Sequence, residues 1–341
     1  MAEGFKWLDG KTVLVTGATG SFGQRLVELL LAESRVHAVL AYSRDELKQN
    51  QMQQRLGDER VRYLIGDVRD RERLSRAMHG VDFVVHAAAL KQVPACEYNP
   101  FEAVKTNILG AVNVMDAAID NGVSRVVALS SDKAVNPVNL YGATKLCAEK
   151  LFVQGNAYSG LDGTRFSSVR YGNVVASRGS VIPLFVQQRA TGTVTVTDER
   201  MTRFWITLEG GVRFVLHCLE TMHGGEVFVP KIPSTTILDL VEAVAPGCQV
   251  RITGIRPGEK LHEVLISLDE ARQTLEFPEM FVIQPPHPWW KSENWSGGTQ
   301  VPDGFLYSSQ NNPQTLTVGM LRGMMPSEEP ETLLVHERPG T

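Results

Sequence analysis

Hydrophobic residues along this chain fall into short β-branched runs separated by stretches of helical periodicity. Thr12 to Thr16, Val36 to Tyr42, Val61 to Ile65, Val81 to His86, Val126 to Ser130 and Phe166 to Tyr171 read as strands, and the apolar run Val126 to Leu129 looks like a buried parallel one. Between them, Phe22 to Glu33, Asp70 to His79, Pro100 to Asp120 and Tyr141 to Tyr158 carry helical spacing. Strands alternating with helices imply right-handed crossovers and a parallel sheet. The predicted fold class is α/β, a doubly wound parallel sheet of Rossmann type, with its ligand crevice at the carboxyl ends of the strands.

After Tyr171 the rhythm breaks. Gly, Pro and Thr become frequent between Arg178 and Thr202. A helix (Leu208 to Met222), a strand (Glu226 to Pro230) and a helix (Ile237 to Val244) then follow. The expected organisation is a nucleotide-binding domain over 1–174, with 203–230 returning to it, and a smaller, intertwined substrate-binding part over 175–325. Residues 326–341 read as a loose tail. Trp289, Trp290 and Trp295, in a Pro- and Gly-rich stretch, are expected to pack on the body or on a partner subunit.

The 341 residues suffice for one large and one smaller domain. A hydrophobic share of 43%, a charged share of 21% and a net charge of -4 are ordinary for a soluble protein and argue against a general nucleic-acid binder. No run approaches the ~20 apolar residues of a membrane span, and the N-terminus lacks the apolar core of a signal peptide. Cys96, Cys147, Cys218 and Cys248 are scattered, which suits reduced thiols. The histidines lack ligand spacing, so no metal is expected.

Gly17, Gly20 and Gly23 follow the first strand and open the first helix. In that context Gly17 permits the turn, Gly20 lets the backbone approach a pyrophosphate, and Gly23 allows close helix–sheet packing. The second strand runs into Ser43, Arg44, Asp45 and Glu46, with Lys48 nearby. An acid alone at that end would grip a ribose 2′-hydroxyl and favour NAD. An arginine accommodates a 2′-phosphate, so Arg44 with Lys48 predicts NADP. Asp67, ending the third strand, is a candidate acceptor for the adenine amino group.

The chemistry is concentrated between Asp132 and Lys145. Tyr141 and Lys145 stand at i and i+4, on one helix face. A tyrosine titrating near about 10 needs a neighbouring cation to act as a base at neutral pH; Lys145 is the candidate. Asp132 and Lys133 supply an acid and a base beyond what alcohol oxidation needs. Oxidising a sugar C4 alcohol acidifies the C5 proton; a base removes it and an acid expels the C6 hydroxyl. Adjacent strand residues alternate faces, so both side chains reach one crevice only if the strand has ended by Ser131. Two nearby lysines would lower the pKa of Asp132, which makes it the weaker assignment.

Six segments carry a family resemblance: Thr16 to Gly23, His86 to Lys91, the Asp132-Lys133…Tyr141…Lys145 block, Arg170 to Val175, Met201 to Ile206 and Ile255 to Glu263. From about residue 10 to about 325 the chain resembles the C5-inverting UDP-N-acetylglucosamine 4,6-dehydratases of pseudaminic acid biosynthesis, which are extended short-chain dehydrogenases/reductases. Ala18 departs from the glycine usual in this loop. Retaining relatives often carry methionine where Tyr141 stands.

The resemblance implies dehydration across C5–C6 of UDP-N-acetylglucosamine with bound NADP, in a cytoplasmic homo-oligomer, commonly a hexamer. It makes Lys133 the C5 base and Asp132 the aid to C6 hydroxyl loss. It adds Thr19, Ser21, Phe22, Val68, Ala87 and Val174 to the nucleotide contacts. Lys91, Tyr141 and Lys145 also face the nucleotide. Substrate contacts are expected at Lys91, Lys133, Asn173, Ser177, Arg178, Thr197, Arg256 and Glu259. A UDP-sugar 4-epimerase shares fold, nucleotide and Tyr141/Lys145, but does not need Asp132 and Lys133. A dinucleotide-sensing scaffold could dispense with Tyr141 and Lys145 as well.

Overall fold

The computed structural model describes residues 4–160, 163–175, 180–287, 290 and 292–325. The chain divides into two compact units. The first holds residues 1–171, 209–231 and 264–307, and the second 172–208, 232–263 and 308–341. The return of 264–307 to the first unit differs from the sequence reading, which left that stretch in the substrate-binding part.

Among the described residues, the first unit is built on a ten-stranded sheet. β1 (Thr12–Thr16), β2 (Ala38–Ser43), β3 (Val61–Ile65), β4 (Phe83–His86), β5 (Arg125–Leu129) and β6 (Arg165–Val169) lie in the order β3-β2-β1-β4-β5-β6, all parallel. This is the doubly wound order, with the switch point between β1 and β4. β1, β2 and β4 are buried along their whole length, so covering helices on both faces explain their unbroken apolar character. Beyond β6 the sheet takes Val227–Pro230 in parallel, then Met280–Ile283, Thr274–Glu276 and Thr299–Gln300 antiparallel. These last strands are too short to announce themselves by alternation.

The helices described in this unit are α1 (Ser21–Glu33), α2 (Glu46–Leu56), α3 (Arg71–Ala77), α4 (Val93–Tyr98), α5 (Pro100–Val104), α6 (Gly110–Asp120) and α7 (Leu140–Ser159), together with the helix Leu208–Thr221, which lies where the sequence pattern put it. Asp45, Asp70 and Asn139 cap α2, α3 and α7, each accepting a backbone N–H. The expected long helix from Pro100 to Asp120 is interrupted by a π-helical turn over Lys105–Leu109. Asn107, in that turn, is buried. It accepts from the Leu90 N–H at 2.8 Å and donates to Leu90 O at 2.9 Å and to Thr144 Oγ1 at 2.9 Å. Trp295 lies edge-on to Phe228, Phe277 and His223 and donates to Glu226, so it packs within its own unit. Trp289 lies outside the described residues.

The second unit has its own core around Phe185, Val194, Trp205 and Leu240. Its three-stranded sheet runs Ser234–Thr236, Thr202–Ile206, Asn173–Val174, and a parallel pair joins Thr193–Val196 to Gln249–Ile252.

Candidate active site

The glycine loop at the end of β1 is shaped by backbone crowding. Gly17 has φ +68°, and a Cβ there would meet Ala88 N at 2.9 Å. A Cβ on Gly23 would sit 2.5 Å from Gly17 O. Both positions demand glycine. α1 starts at Ser21 and Phe22 with Gly20 as N-cap and no side-chain cap, which leaves its first N–H groups for a ligand. A 13-residue helix beginning with uncapped N–H groups beside a glycine turn suits a pyrophosphate. Thr19 is buried, and its carbonyl is held by Gln24. Thr16 Oγ1 accepts the N–H groups of Ala87 and Ala88, so its proton goes to His86 Nδ1 at 2.8 Å. His86 is buried and therefore neutral: burial, helped by Lys145, pushes its pKa down to about 3.

The adenosine side of the site lies at the ends of β2 and β3. Ser43 is held by Gln49, which donates to both its carbonyl and its hydroxyl. Arg44 lies 3.7 Å from Asp67, and Lys48 lies 2.7 Å from Asp45. Asp67 also takes a bidentate grip from Arg69, at 2.7 and 2.9 Å. Glu46 adds a further carboxylate in the first turn of α2. Both cations on which the 2′-phosphate expectation rests are therefore already matched by acids. Val68 is buried against α6, where a Cβ on Gly110 would meet it at 2.8 Å. Lys91 is exposed just past β4.

β5 ends at Leu129, and Asp132–Ala134 form one 3-10 turn. The strand has thus ended before the acid and amine, so pleat alternation no longer separates them. Ser131 Oγ donates to Asp132 Oδ1 at 2.8 Å, and Lys133 Nζ donates to the same oxygen at 3.1 Å. Tyr141 is hydrogen-bonded to Ser131. The result is one string: Tyr141, Ser131, Asp132, Lys133. Asp132 is 1% exposed, while the Lys133 side chain keeps 28%.

Burial pushes the Tyr141 phenol up; the Lys133 ammonium and the Ser131 hydrogen bond pull against that rise. The Lys145 ammonium donates to Leu129 O, and burial lowers it to about 8. In this arrangement the cation bearing on Tyr141 is Lys133, and Lys145 is anchored to the strand end. Ser131 was not singled out from sequence, although a serine at a strand end beside an acid was a readable signal.

In the second unit, Asn173 and Val174 pair with Trp205 and Ile206. Thr197 Oγ1 donates to Met201 Sδ at 3.1 Å. Arg256 and Glu259 form an ion pair at 3.3 Å across a turn containing Gly258 at φ +81°. Ser177 and Arg178 lie outside the described residues.

Comparison with known proteins places the chain. Residues 13–285 match the family described as polysaccharide biosynthesis protein. The chain belongs to that family. It is 54% identical over 315 residues to a UDP-N-acetylglucosamine 4,6-dehydratase (inverting) of Campylobacter jejuni, covering 90% of this chain and 94% of the relative. Identity of this order makes it an extended short-chain dehydrogenase/reductase of the inverting dehydratase group. A UDP-glucose 4-epimerase of Rickettsia conorii is 45% identical over 281 residues, 80% of this chain and 82% of the relative. Among solved structures, Pen from Bacillus thuringiensis superposes with a TM-score of 0.86 at 40% identity, over 93% of this chain and 98% of that one. A dTDP-glucose 4,6-dehydratase from Streptomyces venezuelae, with NAD and TYD bound, has a TM-score of 0.66 at 25% identity, over 73% of this chain and 86% of that one. The NAD in that relative overturns the expectation of NADP. The ion pairs of Arg44 and Lys48 give a physical reason, since neither cation stands ready for an extra phosphate.

Proposed function

We propose that the chain is a C5-inverting UDP-N-acetylglucosamine 4,6-dehydratase using NAD, with UDP-2-acetamido-2,6-dideoxy-β-L-arabino-hex-4-ulose as product. The observation that carries this reading is the Asp132–Lys133 pair hydrogen-bonded into the same string as Tyr141. Bound NAD supplies the two-electron acceptor and donor, so the sugar undergoes no net redox change. Tyr141 takes the C4 hydroxyl proton. Lys133 removes the C5 proton, and Asp132 protonates the leaving C6 hydroxyl, so that one water departs; return of the hydride to C6 and uptake of a proton on the opposite face of C5 complete the inverted 6-deoxy product. At rest, Asp132 and Lys133 form an ion pair. Moving one proton across that 3.1 Å contact produces the neutral acid and neutral amine that elimination needs. Burial of Asp132 favours the uncharged pair.

Asn173, Ser177, Arg178, Thr197, Arg256 and Glu259 are the proposed sugar-nucleotide contacts, Arg for phosphate and Glu259 for the ribose diol. The reading extends to a cytoplasmic homo-oligomer serving pseudaminic acid biosynthesis. The similarity to the Rickettsia epimerase favours 4-epimerisation as the second reading.

Proton NMR of the enzyme with UDP-N-acetylglucosamine in deuterated water separates these. A C6 methyl with deuterium at C5 and L-arabino couplings is expected. D-xylo couplings would move the chain to retention, and gluco–galacto exchange without a methyl would establish the epimerase. Lys133→Met should abolish product while nucleotide stays bound; unchanged turnover would remove Lys133 from the mechanism.

A further inference from the structure

One buried ionic cluster of the first unit has no part in the chemistry above. Glu149 stands one turn beyond Lys145 on α7, Arg170 follows β6, and Glu270 lies in the 3-10 turn Leu268–Gln273. Arg170 Nε donates to Glu149 Oε2 at 2.8 Å and Nη2 to Glu149 Oε1 at 2.5 Å. Nη1 donates to Leu265 O and to Glu270 Oε2, both at 3.0 Å, and Nη2 also reaches Glu270 Oε1 at 2.7 Å. All five guanidinium donors are engaged. The side chains of Glu149, Arg170 and Glu270 are 0%, 1% and 17% exposed.

Two carboxylates on one guanidinium leave a surplus negative charge in a desolvated place, which is costly unless a cation balances it. Lys145 is a buried cation one helical turn away, on the carbonyl of Leu129. The next residue, Ser130, donates its hydroxyl to Glu149 Oε2 at 2.8 Å. Residues 129 and 130 therefore tie the lysine and the acid to the same strand end.

We propose that Glu149, held by Arg170 and Ser130, is the buried counter-ion of Lys145 and a positioning residue of the active site. The surplus charge keeps Lys145 an ammonium where burial alone would discharge it. The catalytic meaning of this rests on the dehydratase reading; the charge balance does not. The other charged or titratable groups around Lys145 are Tyr141 on α7, neutral His86 on β4, and Asp132 and Lys133 after β5. Tyr171 and Arg170 after β6, and Glu270, stand next to these. Of these, His86 and Glu149 are the groups coupled electrostatically to the lysine.

The test reads Lys145 directly. In protein carrying 13C at lysine Cε, the Lys145 signal is identified by its loss in Lys145→Arg, and its titration is followed without substrate. The expected midpoint is about 8 in the parent. Glu149→Gln should lower it by about one unit or more, and the alkaline limb of kcat should move down with it. An unchanged midpoint overturns the proposal, even if activity falls, because a merely structural role would leave the titration in place. If Glu149→Gln does not fold, Glu270→Gln removes the same surplus charge from the less buried end. It should shift the midpoint in the same direction, and no shift there overturns the proposal equally. A shifted midpoint in a protein that forms no C6 methyl would sink the dehydratase reading and leave the counter-ion standing.

Discussion

Gly142 follows Tyr141, the proposed C4 base, and lies where α7 touches the turn bearing Asp132 and Lys133. A Cβ at this position would stand 2.2 Å from the Lys133 carbonyl oxygen and 3.1 Å from Pro137 Cβ. Real Cβ contacts essentially never fall under 3.0 Å, so Gly142→Ala must push the turn away by about 0.8 Å. The obstacle is backbone and has no rotamer by which to yield. Two effects oppose one another in stability. Alanine in place of glycine in a helix gains ~1 kcal/mol, whereas overpacking costs ~1–3 kcal/mol. The net change is a modest loss, and the protein stays folded. Catalysis has no such compensation: a displacement near 1 Å costs on the order of 10²-fold in rate. Initial rates of C6 methyl formation, with thermal unfolding as control, should show a rate loss of about that size and only a small change in Tm. A variant that turns over like the parent would refute the idea that the Gly142 contact sets the position of Lys133 against Tyr141.

Two further outcomes are expected. On acidification, stability should fall in two stages. His86, neutral when folded with a pKa of about 3, contributes stability above pH 6.5 that is lost as pH drops toward 3. Glu270, which burial would raise but the Arg170 charge and hydrogen bonds hold at about 2, contributes on the order of 3 kcal/mol above pH 4.5, lost toward pH 2. Urea unfolding of Glu270→Gln should show a shallower acid decline below pH 4.5; a slope equal to the parent's would remove Glu270 from the account. Calorimetric titration of nucleotide-free protein should find NAD binding more tightly than NADP, and the opposite order would mean that Arg44 leaves Asp67 for a 2′-phosphate.

The sequence was most readable where burial is uniform. β1 and the helix Ile237–Val244 lie where their apolar runs put them. α2 was invisible because Glu46–Leu56 is almost wholly polar, with only Gln49 and Met52 buried. The π-turn at Lys105–Leu109 was hidden because its cause, Asn107 reaching Leu90 and Thr144, is a tertiary hydrogen-bond set that periodicity does not encode. At the site, Tyr141 and Lys145 were legible by helical spacing, and Asp132 and Lys133 by their place after a strand. Glu149 and Arg170 were not, because each looks like an ordinary charge until residues 149, 170 and 270 are brought together. The 2′-phosphate was inferred from Arg44 with Lys48, and the acid that partners Arg44, Asp67, comes from the next strand.

The sheet of the first unit closes in an order that differs from the order of synthesis. β6 is the last strand made before the chain departs into the second unit, and its outer neighbour, Val227–Pro230, emerges some sixty residues later. Until then β6 is a bare edge on the ribosome, with hydrogen-bonding groups open to any passing strand. Arg170 at its end waits longer still, for a second carboxylate a hundred residues downstream. A fragment ending at Tyr171 would carry the whole glycine loop and the whole hydrogen-bonded string from Tyr141 to Lys133, yet expose that edge and leave a guanidinium half-satisfied. The nascent protein is therefore most vulnerable to misassembly during the interval between residues 171 and 270, when the proposed acid and base groups have been translated and the frame that holds them has not.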